Sequence, residues 1–80
     1  MTNLEKYNAA FLECFEVEED QLPNLAYQSI ELWDSVGHMQ LIATLEDTFD
    51  IMFDTDDIID FSSYEKGKEL VKKYEIDLEA

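Results

Sequence analysis

The chain has 80 residues, with 20 Asp or Glu against 5 Lys or Arg and a formal net charge of −15. That length makes one domain, residues 1–80, whose core is too small to enclose a sizeable substrate, so a self-contained enzyme is not expected. The acidic field repels nucleic acid and anionic lipid and attracts basic protein surfaces, while 46% hydrophobic and 12% aromatic content excludes a disordered acidic tail.

The opening Thr2-Asn3-Leu4-Glu5-Lys6 has no basic leader and no long apolar run. The expectation is a cytoplasmic protein without signal peptide or membrane span. Thr2-x-x-Glu5 is a capping box. Leu4, Tyr7, Phe11 and Phe15 then recur at helical spacing, with Leu12 widening the stripe. They predict a first helix from Asn3 to Phe15. Cys14 lies beside that stripe as the lone cysteine, which rules out an internal disulfide and predicts a buried, inert thiol.

Glu16 to Trp33 reads as a long connection, because Pro23 and scattered polar residues stop a helix continuing through it. It nonetheless carries Val17, Leu22, Leu25, Tyr27, Ile30 and Trp33. A loop this apolar is expected to pack over a helical core, with a short helical turn near Glu18 to Gln21. Long ordered loops are uncommon in compact domains and are often functional.

The second helix is expected from Ser35 to Asp50. Leu41, Ile42, Leu45 and Phe49 make its apolar face, and Met39, Gln40, Ala43, Glu46, Asp47 and Asp50 fall on the other side. Asp54 to Phe61 predicts a short third helix, Asp56 to Asp60, with acids suited to its first turn. Ser62-x-x-Glu65 is a second capping box, opening a last helix from Ser63 to Tyr74. Tyr64, Leu70, Val71 and Tyr74 face inward there, and Lys72 and Lys73 suit the dipole of the last turn. Gly67 inside that helix costs about 1 kcal/mol relative to Ala.

Chemistry is sparse. Asp54, Asp56 and Asp57 resemble the start of a calcium loop, but the turn glycine and terminal bidentate Glu are missing. Zinc has only one Cys and one His, far apart, so no metal site is expected. Ser35 and His38 lie three apart on a helix, yet nothing supplies an oxyanion hole or substrate pocket. His38 is expected to be a surface residue, and no residue is assigned a catalytic role.

The remaining signal is Asp34-Ser35 at the junction of the long loop and the second helix. A hydroxyl there is exposed beside a helix N-terminus, where backbone N–H groups and the dipole favour a phosphate. Asp34-Ser35-Val36, followed by Leu41-Ile42, Leu45-Glu46-Asp47 and Phe49, resembles the acyl carrier proteins. The resemblance covers essentially the whole chain. The run Trp33-Asp34-Ser35-Val36-Gly37-His38-Met39 looks more like stand-alone carriers of specialised pathways than fatty-acid carriers. Many of the latter have Leu and an acid where Val36 and Gly37 stand, and acids where Gln40 and Thr48 stand.

The resemblance implies an all-α, four-helix bundle of acyl-carrier type, with a long first loop and a short third helix. It implies a non-enzymatic carrier of acyl or aminoacyl groups. A phosphopantetheinyl transferase would move 4′-phosphopantetheine from coenzyme A onto Ser35, and the arm's thiol would hold cargo as a thioester. Asp34 would support that site by capping the helix. The docking surface would comprise Met39, Gln40, Ala43, Glu46 and Asp47, with Asp56 and Asp57 from the third helix. Loading and accepting enzymes with basic surfaces would read it, and the chain would be a monomer without nucleic-acid or membrane partners. An acidic protein-interaction module without a prosthetic group also accounts for the charge. It leaves the serine at this helix start unexplained.

Overall fold

The computed structural model describes residues 2–78, and the protein is all-α. Helix α1 spans Asn3–Phe15. The Glu5 N–H donates to Thr2 Oγ1 at 3.1 Å and the Thr2 N–H to Glu5 Oε1 at 3.0 Å, so the expected capping box forms. Glu16 ends the helix in the left-handed region, φ 53°, where its N–H still reaches the Leu12 carbonyl. A 3-10 helix, Glu19–Asn24, follows. It starts one residue later than expected and runs three residues further, taking in Pro23.

Helix α2 spans Ser35–Phe49, α3 Thr55–Asp60 and α4 Tyr64–Lys73. Each lies within a residue or so of its expected bounds. The start of α4 differs in its cap. Ser63, not Ser62, caps it, its hydroxyl accepting from the Lys66 N–H at 3.0 Å. Ser62 is held outside the helix because its carbonyl accepts from the Tyr27 N–H at 2.8 Å. Together with the Tyr64 N–H bond to the Leu25 carbonyl (3.0 Å), this makes an isolated antiparallel bridge between Ala26 and Ser63. The long loop is thereby stitched to the root of α4.

The core is aromatic. Phe11 lies at its centre, with ring centroids of Tyr7, Tyr64, Trp33, Phe15 and Phe61 between 5.0 and 6.2 Å away. Edge-to-face pairs of this kind add about 0.5–1.5 kcal/mol each to the burial energy. Leu41, Ile42 and Leu45 of α2 and Val71 of α4 close the core as expected, while Phe49 and Tyr74 are half-buried at its margin. Leu22, Leu25 and Trp33 bury the loop's apolar side. Polar edges are satisfied within the core. The Tyr7 hydroxyl, wholly buried, donates to the Tyr64 carbonyl at 2.7 Å, and burial pushes its pKa well above the usual phenol range.

Gly67 explains itself in this packing. A Cβ there would overlap the Phe61 ring and the Tyr7 hydroxyl, so α4 can approach the core only without a side chain. Gly67→Ala gains about 1 kcal/mol of helix propensity but overpacks a tight contact, which costs about 1–3 kcal/mol. A lower urea midpoint is the expected outcome for this variant, with the loss read by equilibrium denaturation.

Candidate functional site

Ser35 is the first residue of α2 and is exposed. Three local features put it there. Asp34 caps the helix, its Oδ1 accepting from the Gly37 N–H at 2.9 Å, which fulfils its expected supporting role in the local geometry. Trp33, immediately before it, is completely buried and anchors the loop in the core. Gly37 lets the first turn of α2 lie directly on the loop, since a Cβ there would overlap the Leu32 carbonyl oxygen. The loop itself is closed by turns, with Gln28 N–H to the Trp33 carbonyl at 2.9 Å and Trp33 N–H to the Ile30 carbonyl at 3.2 Å.

A groove of about 360 Å³ opens beside Ser35. Tyr27, Met39, Ile58, Ile59 and Phe61 make its mostly apolar walls, and Ser35, His38 and Ser62 supply its polar edges. Sequence reasoning did not place Tyr27, Ile58, Ile59 or Phe61 at the site. One signal for them existed: adjacent isoleucines on a short acidic helix cannot both face the core. Ile58 is half-buried and Ile59 is 73% exposed. Val36 and Met39 are exposed too, so an apolar patch surrounds the serine.

His38 does not stand at the surface as expected. It is half-buried, with the Trp33 Nε1–H donating to its Nδ1 at 3.0 Å. Its Nε2 lies 2.8 Å from the Ile58 carbonyl. An indole N–H can only donate and a carbonyl can only accept, so the ring is neutral and carries its proton on Nε2. With Nδ1 occupied by the indole, His38 has no free lone pair to act as a base toward Ser35.

The acids expected on the docking surface divide. Met39, Gln40, Ala43, Asp47 and Asp56 are exposed. Glu46 is half-buried, and its Oε2 accepts from the Phe53 N–H at 2.9 Å, tying the segment after α2 back onto the helix. Asp57 is corrected outright: it is 3% exposed and unavailable to a partner. Lys73 Nζ donates to its Oδ1 at 2.9 Å and the Tyr74 hydroxyl donates to its Oδ2. The chain reversal between α3 and α4 brings these groups together, a juxtaposition invisible in a linear reading. Cys14 is half-buried, its Sγ 3.6 Å from Thr44 Oγ1.

Among the described residues, no group of three or more His, Cys, Asp or Glu side chains could hold a metal ion. None of their helices is long and apolar enough to cross a membrane. A larger recess, about 530 Å³, runs along α4. Its Lys66 and Lys68 pair at 3.8 Å with Glu69 and Glu65 of the same helix. Such exposed pairs contribute little. No protein-family profile matches the chain, and no curated protein or solved structure is significantly similar to it.

The Asp57 cluster sets a pH dependence. Its hydrogen bond from Tyr74, then that from Lys73, holds the carboxyl below the ordinary range. A carboxyl with a depressed folded-state pKa stabilises the fold above its unfolded pKa, about 3.9. That contribution is lost as pH falls through the folded value. Asp57→Asn should therefore lower Tm at pH 7, and thermal scans should show the gap to the wild type closing below about pH 4.

Proposed function

We propose that the protein is an acyl carrier of the four-helix type, modified with 4′-phosphopantetheine at Ser35. The observation that carries this reading is an exposed serine hydroxyl on the first turn of α2, at the lip of an apolar groove. The neighbouring His38 is hydrogen-bonded elsewhere. That arrangement suits a residue acted on by another enzyme better than a self-activated nucleophile.

The residues fit the group. Tyr27, Met39 and Ile58 offer a surface along which an amide-and-alkyl arm can lie next to its attachment point. When bound, the group supplies a thiol that holds acyl or aminoacyl cargo as a thioester. In the attachment, Ser35 Oγ bonds to the phosphorus on the pantetheine side of coenzyme A. Adenosine 3′,5′-bisphosphate leaves, and the hydroxyl proton passes to a base of the transferase. Asp34 bears the same charge sign as the new phosphodiester, so its part is to hold the helix start through Gly37.

Partners would meet Val36 and Met39 within an acidic rim that includes Asp47 and Asp56. From Tyr7 to Glu65 the sequence has no Lys or Arg to interrupt that field. Charge of one sign speeds encounter with basic enzymes without requiring tight, slow-release complexes. The finer assignment is a stand-alone carrier of a specialised pathway, working in the cytoplasm as a monomer. Its support is the Trp33-to-Met39 run, whose Trp33, Asp34, Gly37 and His38 each have a structural task here.

The test is intact-mass measurement after incubation with coenzyme A, Mg²⁺ and a broad-specificity phosphopantetheinyl transferase. One phosphopantetheine should add per chain, and Ser35→Ala should add none. An unchanged wild-type mass beside a working control carrier overturns the reading and leaves an acidic interaction module. Charge reversal should use Asp47 and Asp56, because Glu46 and Asp57 are structural. Asp47→Lys with Asp56→Lys should slow modification by about 3- to 10-fold at low salt, and added salt should narrow the difference.

A further inference from the structure

Three segments bound the groove beside Ser35: the end of the loop, the first turns of α2, and α3. One imidazole joins all three. Trp33 from the loop donates to His38 Nδ1, and His38 Nε2–H donates to the Ile58 carbonyl of α3. The ring is further packed against Tyr27 (centroids 5.4 Å), Trp33 (6.3 Å, nearly parallel) and Phe61 (6.1 Å). Apart from the helix-initiating bonds of Asp34, it is the polar link between the loop's end and the wall of the groove.

We propose that His38 is a positioning residue for Ser35, a latch that is closed when its ring is neutral and opens when the ring is protonated. The inference rests on the carrier reading for its bearing on modification, but the latch itself does not. A second proton can enter only at Nδ1, because Nε2 already carries one. Nδ1–H would then face the indole N–H, two donors without an acceptor, and the Trp33 bond is lost. The Ile58 bond survives protonation, so the loop side of the groove is the side released. Trp33 is two residues before Ser35, and the displacement therefore falls on the serine's own approach to the helix.

The charged surroundings have a definite sign. The loop brings Glu31 and Asp34, and α3 brings Asp56, Asp57 and Asp60; none of the loop, α2 and α3 carries Lys or Arg. Asp34 is engaged by Gly37 and Asp57 by Lys73 and Tyr74. Tyr27 is the phenol packed on the ring. The carboxylates favour an imidazolium and the indole N–H opposes it. The latch is thus set by two opposed interactions, and the open state is reached by one proton.

The chain suits a direct test, since it has one Trp and one His. Nitrogen-15 shifts of the His38 ring should report the Nε2–H form at pH 8, and the Trp33 indole proton should be protected from exchange. On lowering pH, Trp33 emission should change in a single-proton transition that coincides with ring protonation. His38→Gln, which offers an acceptor and a donor but no titration, should lack that transition. A proton found on Nδ1 at pH 8, or an emission change that persists in His38→Gln, overturns the latch.

For Ser35, each protein's rate of phosphopantetheine transfer is normalised to its own value at pH 8. Between pH 8 and the end of the emission transition, the wild type should fall about fivefold further than His38→Gln, the equilibrium equivalent of one hydrogen bond. Identical profiles for the two proteins overturn the positioning role. His38→Phe keeps a ring against Trp33 and Phe61 without either hydrogen bond. Circular dichroism checks its fold, and a folded variant exchanging the Trp33 indole proton as slowly as the wild type also overturns the latch. Should the wild type accept no phosphopantetheine at any pH beside a working control, the carrier reading fails and the bearing on Ser35 with it. The tautomer and emission results then still decide the latch.

Discussion

The burial of Trp33 is the constraint on which the site depends. A residue from an irregular loop fills the centre of the domain, stacked on Phe15 at 5.0 Å and edge-on to Phe11 at 5.7 Å. Truncating a buried Trp typically costs about 3–5 kcal/mol. The whole stability of an 80-residue domain is on the order of 4–12 kcal/mol. By comparison its hydrogen bond to His38 contributes about 1 kcal/mol. Packing therefore holds the loop down, and the hydrogen bond selects how the indole is turned and which tautomer His38 adopts. Everything after Trp33 inherits that placement: Asp34 can cap only because its neighbour is pinned, and Ser35 is presented outward because the chain must leave the core there.

The same economy of space explains both glycines. Gly37 and Gly67 sit where backbone or ring atoms occupy the volume of a Cβ. One lets α2 start against the Leu32 carbonyl, the other lets α4 lie on Phe61 and Tyr7. Phe61 thus connects the two ends of the design. It packs on Gly67, on Trp33 and on His38, and it forms the floor of the groove beside Ser35. Core packing and the candidate site are built from shared residues, so a substitution at Phe61 would disturb both.

Acidity in this chain serves two ends. Glu5, Asp34, Glu46 and Asp57 spend their oxygens on backbone N–H groups, a lysine and a phenol. Asp47 and Asp56 remain exposed. The remaining exposed field is adequate for steering basic partners, since long-range attraction depends on summed charge more than on any single pair. Specificity at contact falls instead to the apolar side chains around Ser35, with Val36 67% and Met39 53% exposed.

Helical period and capping chemistry were legible in the sequence because both are local. Thr2 with Glu5, the stripe from Tyr7 to Phe15, and Asp34 ahead of α2 act within one or two turns, and each is found where the order of residues puts it. So is the exposure of Ser35, which follows from standing first in a capped helix. Tertiary structure alone decided the rest. Ser62 lost the cap of α4 to Ser63 because its carbonyl pairs with Tyr27, far away in the chain. Asp57 left the surface because the reversal into α4 presents it to Lys73 and Tyr74. His38 became an internal link because Trp33 and Ile58 converge on its ring. Such partners are distant in sequence and meet only after the chain has collapsed around its aromatic centre, which is why no local pattern encodes them.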